Sequence, residues 1–76
     1  NGYMQLNKVP LNEVLIKIGR YYNVEFKYNT DLNLHNKTCS GKLFLSDNLE
    51  DVLEAFSRMT FLTYDKNREE TIYINH

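Results

Sequence analysis

The chain has 76 residues, 42% of them hydrophobic, with nine basic side chains against ten acidic ones and a net charge of −1. That size and apolar content predict one domain over residues 1–76 with a thin core, and they exclude disorder. The charge balance offers no electrostatic footprint for nucleic acid and no polybasic patch for a membrane surface.

Tyr3, Met4, Gln5 and Leu6 alternate as a short half-buried strand. Pro10 suits the first turn of a helix, where its missing N–H costs nothing. The helix that follows runs to about Tyr22 and buries Leu11, Val14, Leu15, Ile18 and one or both of Tyr21 and Tyr22. Asn23, a residue that tolerates the left-handed conformation, closes it. Residues 24–28 alternate strictly and predict a second strand with Val24, Phe26 and Tyr28 inward.

The Asn- and Asp-rich stretch from Asn29 to Lys37 reads as a loop with Leu32 and Leu34 tucked beneath it. A third strand follows with Cys39, Gly41, Leu43 and Leu45 on one face. Gly41 inside it predicts a bulge or close packing of a helix against backbone. Leu49, Val52, Leu53, Phe56 and Met59 then line one face of a second helix, from about Asn48 to Thr60, with Asp47 and Glu50 at capping-box spacing. A hairpin ends the chain: Leu62–Asp65, a polar turn Lys66–Glu70, and Thr71–Asn75 with Ile72 and Ile74 inward.

The two helical stretches repeat each other at an offset of 38 residues. Leu11, Val14, Leu15 and Arg20 answer Leu49, Val52, Leu53 and Arg58, and Val24 and Phe26 answer Leu62 and Tyr64. A helix followed by a short alternating strand has been used twice. The expected fold is therefore α+β, in the order β-α-β-β-α-β-β, with two helices packed on small two- and three-stranded sheets.

No chemical constellation emerges. His35 and Cys39 are the nearest approach to a metal pair, but zinc needs three or four ligands and the other histidine is His76 at the chain end. Asp65 to Glu69 lacks the turning glycine and closing glutamate of a calcium loop. Ser40, Ser46 and Ser57 have no histidine at local spacing, and the acids at 50, 51 and 54 read as helix-dipole partners on a solvated face. The three glycines are scattered rather than gathered in a phosphate loop. The expectation is no catalytic residue, no metal and no cofactor. A single cysteine forms no internal disulfide, and no apolar run approaches the ~20 residues of a membrane span. The start at Asn1 rather than Met, without a signal peptide, reads as a piece of a longer protein.

The positive signal is aromatic. Six tyrosines and four phenylalanines are many for this length, and Tyr3, Phe44, Phe61 and Tyr73 point away from the main apolar side. Ile16 also lies opposite the buried stripe of the first helix, where the second carries Glu54. Ile16, Phe44 and Tyr73 are the candidate protein-binding residues; the alternative is that they pack under loops or a second sheet.

Leu6, Pro10, Leu11, Glu13, Val14 and Leu15, then Tyr22, Asn23, Val24 and Phe26, in this order and spacing resemble the C-terminal domain of FecR-like anti-sigma factors of Bacteroidetes. Gly41, Leu43, Leu49, Val52, Leu53, Tyr64, Ile72 and Ile74 continue the match, from about Met4 to Asn75. Asn23 stands where that family often has Gly, and Leu6 where it often has Phe. The resemblance implies a fold like the short N-terminal domain of secretins and TonB-dependent transducers. It implies a domain that closes the periplasmic part of a single-pass inner-membrane protein, without touching the membrane itself. Such a domain would receive a signal from the periplasmic signalling domain of a TonB-dependent outer-membrane transporter. A cytoplasmic segment outside this chain would hold an extracytoplasmic-function sigma factor. The other expectations are a signalling or docking domain at the N-terminus of a transducer or secretin and, more distantly, a small enzyme or ligand-binding domain.

Overall fold

The structure, a computed structural model, describes residues 2–46, 48–67 and 70–76. Its elements are β1 (Tyr3–Pro10), α1 (Leu11–Tyr22), β2 (Glu25–Tyr28), β3 (Thr38–Phe44), α2 (Leu49–Thr60), β4 (Thr63–Lys66) and β5 (Thr71–Asn75). Two short 3-10 turns, Thr30–Leu32 and Leu34–Asn36, occupy the polar loop and bury Leu32 and Leu34 as expected. This is the expected α+β order.

The strands form two sheets. β1 and β3 pair antiparallel, and β5 lies between β2, to which it runs parallel, and β4, to which it runs antiparallel. Each half of the repeat thus sends its first strand to one sheet and its second to the other. The offset is preserved in three dimensions, since α1 and α2 begin 38 residues apart, as do β2 and β4. Leu11, Val14, Leu15 and Ile18 of α1 and Val52, Leu53 and Phe56 of α2 enter one core with Leu6, Leu43, Leu62, Ile72 and Ile74. Tyr22 is half-buried and its hydroxyl donates to the Ser46 carbonyl, whereas Tyr21 is exposed.

The helix ends follow from the local sequence. Pro10 is the N-cap of α1 and the last residue of β1, with ψ 141°, not a residue of the first turn. It offers no side-chain cap, and the Leu11 N–H donates instead to the Lys37 carbonyl at 2.8 Å. For α2 the N-cap is Asn48, whose Oδ1 accepts from the Glu50 N–H at 2.9 Å. The capping box expected at Asp47 falls outside the described residues, as do Arg68 and Glu69 of the final turn. Both helices close on a left-handed residue, Asn23 at φ 58° and Phe61 at φ 62°. Asn tolerates that conformation; a bulky aromatic rarely adopts it.

β1 is longer than its alternation predicts because a bulge carries it on. The register jumps between Leu6 opposite Gly41 and Val9 opposite Cys39, so Asn7 and Lys8 face Ser40 alone. Lys8 takes φ 51° there, and its N–H donates to Ser40 Oγ at 2.9 Å. Gly41 has φ 124°, and a Cβ on it would lie 3.6 Å from Met59 Cε. The bulge expected at that glycine is present, with the extra residue on β1, while its contact with α2 is an ordinary one to the end of the Met59 side chain.

Gly19 matters for a different reason. A Cβ there would lie 2.8 Å from the Val24 carbonyl oxygen, so α1 folds back against the start of β2 only because no side chain intervenes. In an ordinary helix interior Gly→Ala gains about 0.5–1 kcal/mol; here Gly19→Ala should lower stability. Leu15→Ala and Leu53→Ala should each cost about 2–5 kcal/mol, since both side chains are fully buried. Chemical denaturation of the three variants checks this, and a leucine variant within about 0.5 kcal/mol of the parent would contradict the shared core.

Candidate functional site

The residues that break the packing pattern are all on the surface. Ile16 is 49% exposed, Phe44 64% and Tyr73 45%. Tyr3 and Phe61 are exposed too, Phe61 the most at 86%.

They do not form one patch. Tyr3 and Phe44 are register partners on the two-stranded sheet, their rings 5.9 Å apart and tilted at 52°, with the Lys42 ammonium 4.9 Å above the Tyr3 ring. Ile16 belongs to a different surface. It borders an open groove of about 380 Å³ between α1 and β2, together with Asn12, Leu15, Gly19, Arg20, Asn23, Val24, Glu25, Phe26 and Tyr28. Tyr28 also borders a second shallow groove, with Lys27, Asn29 and Tyr73. Tyr28 therefore stands at the meeting of two surfaces: Ile16 lies on the side of the sheet that α1 covers, whereas Tyr73, between the buried Ile72 and Ile74 and opposite Lys27, faces the other side.

Tyr28 was expected to point into the core. It is exposed because β2 is an edge strand whose last residue runs past the cover that α1 provides. Its place beside both grooves was not legible from alternation alone.

The repeat supplies an internal comparison. The counterparts of Asn12, Ile16 and Tyr28 are Glu50, Glu54 and Lys66. In the second half, Lys66 Nζ reaches Glu50 Oε2 at 3.6 Å, joining β4 to α2, and Arg58 meets Glu54 at 3.6 Å on the helix surface. These exposed pairs add little stability, but they cover with charge what the first half leaves apolar. Tyr64, beside them, has its phenol pushed up by burial and then by the charges of Glu50 and Glu54.

Among the described residues, no three His, Cys, Asp or Glu side chains gather as a metal site. His35 is exposed on the second 3-10 turn, and Cys39 is buried on β3 with its thiol pushed up by burial. A protonated, shielded thiol is a poor nucleophile. Cys39 should react with a thiol reagent at neutral pH only as the chain unfolds; fast labelling of the folded protein would contradict the strand register.

The family model for FecR, C-terminal, matches residues 3–74. The chain belongs to the FecR C-terminal family. Two crystal structures from Parabacteroides distasonis ATCC 8503, each assigned as an anti-sigma factor, are similar to this FecR C-terminal chain. One is 24% identical over 97% of the chain with a TM-score of 0.78; the other is 25% identical over 96% with a TM-score of 0.77. The chain spans 33% of the length of each. No curated protein matches it. Among the described residues, no helix of this FecR C-terminal chain is long and apolar enough to cross a membrane.

Proposed function

We propose that the chain is a signal-receiving domain of a FecR-like anti-sigma factor, working by protein contact rather than catalysis. The domain belongs to the periplasmic part of a single-pass inner-membrane protein. Its partner is the periplasmic signalling domain of a TonB-dependent outer-membrane transporter. The sigma factor is held by a cytoplasmic segment outside this chain. Family membership supports the anti-sigma assignment, as do structural neighbours assigned that role.

The observation that carries the contact reading is the exposure of Ile16, Tyr28 and Tyr73 on secondary structure, with the ion-paired Glu54 and Lys66 standing at the repeat counterparts of Ile16 and Tyr28. An isoleucine on a solvated helix face gains nothing from helix propensity, and aromatic residues are enriched at protein interfaces. Phe44, its ring tilted against that of Tyr3, supplies a second contact on the other sheet.

Ile16→Glu, Tyr73→Glu and Phe44→Glu should each leave stability within about 1 kcal/mol of the parent, as surface changes do. Each should weaken binding to the signalling domain of the transporter encoded beside the gene, measured by titration calorimetry. Three folded variants that bind like the parent would overturn the assignment of these residues.

A further inference from the structure

The groove beside Ile16 is also a strand edge. In the parallel ladder with β5, the Glu25 N–H donates to the Glu70 carbonyl at 3.1 Å, so Glu25 and Lys27 turn their backbone groups toward β5. The N–H and C=O of Phe26 and Tyr28 then point the other way, to the side where no strand pairs. Edge strands template the addition of another chain unless they are covered or charged. Across from this edge stands Ile16 on α1, with Asn12 one turn earlier and Arg20 one turn later.

Two observations say what fits there. The floor is apolar, so alternate residues of the occupant are apolar. Arg20, on the helix rim, has no ion-pair partner among the described residues, while its repeat counterpart Arg58 is paired with Glu54.

We infer that the α1–β2 groove binds an extended segment of the partner protein as a fourth strand beside Phe26 and Tyr28, with an acidic side chain of that segment on Arg20. Backbone pairing supplies the affinity, and the groove floor and Arg20 supply the choice of segment. The inference rests on the contact reading above and deepens it. The edge of β4 is not an equivalent site, because the side chains beside it are charged, Lys66 lying 3.6 Å from Glu50 of α2.

The test is selection of a displayed library of random decapeptides on the immobilised chain, followed by amide NMR of the chain with an enriched peptide. Enriched peptides should alternate apolar residues with polar ones and carry Asp or Glu. The Phe26 and Tyr28 amides should shift and gain protection from hydrogen exchange. Ile16→Glu should weaken binding at least about tenfold, and Arg20→Glu should turn the preference to peptides carrying Lys or Arg. No enriched peptide, or shifts confined to β4 or to the Tyr3–Phe44 face, would overturn the inference. A chain that selects such peptides but ignores the transporter's signalling domain keeps the groove and loses the relay. One that binds the signalling domain without shifts at Phe26 and Tyr28 keeps the relay and loses the groove.

Discussion

Two carbonyls, those of Val24 and Leu62, set how each helix folds back on the strand that follows it. At the first, Gly19 presents no side chain and lets α1 close against backbone. At the second, Ser57 stands at the same place in the repeat, and its hydroxyl donates to the Leu62 oxygen. Clash is avoided once by removing a side chain and once by making it a hydrogen-bond donor. Left-handed residues at 23 and 61 complete both reversals. Only with these turns in place can the apolar stripes of the two helices and the inward residues of β2, β4 and β5 share one core. The thinness of that core makes it sensitive to the loss of any one large side chain.

The two halves have one scaffold and opposite surfaces. Around α2 and β4, charged side chains meet one another across the helix–strand boundary. Around α1 and β2, the corresponding positions are an amide, an isoleucine and a tyrosine. Packing does not require the difference, because the buried positions of both halves are alike. The asymmetry lies where solvent, or a partner, is the neighbour. Phe61 belongs to the same account, since neither its left-handed backbone nor its exposure favours a bulky aromatic at that position.

Local periodicity made much of this legible. The stripe of Leu11, Val14, Leu15 and Ile18 and its repeat are determined by neighbours within two helical turns, and so is the cap at Asn23. Ile16, Phe44 and Tyr73 stood out because each violates the pattern of its own element, and all three are exposed. Long-range pairing was beyond that reasoning. Nothing in residues 25–28 says that they run parallel to β5 or form a sheet edge, so Tyr28 read as a core residue. The groove was invisible for the same reason, since Asn12, Arg20 and Tyr28 meet only once α1 lies beside β2. Phe61 could have been read as a left-handed cap from its register with Asn23, but its aromatic identity argues for extended backbone.

The central claim is that openness of the first-half groove, not the fold itself, makes this chain a receiver. It is tested most directly by giving the first half the charge seal of the second. The double variant Asn12→Glu, Tyr28→Lys places an acid and a base where Glu50 and Lys66 meet in the repeat. Its affinity for the transporter's signalling domain is to be measured by calorimetry alongside its thermal unfolding. The account predicts a folded variant whose binding is weaker by at least about tenfold. A folded variant that binds as tightly as the parent would contradict it.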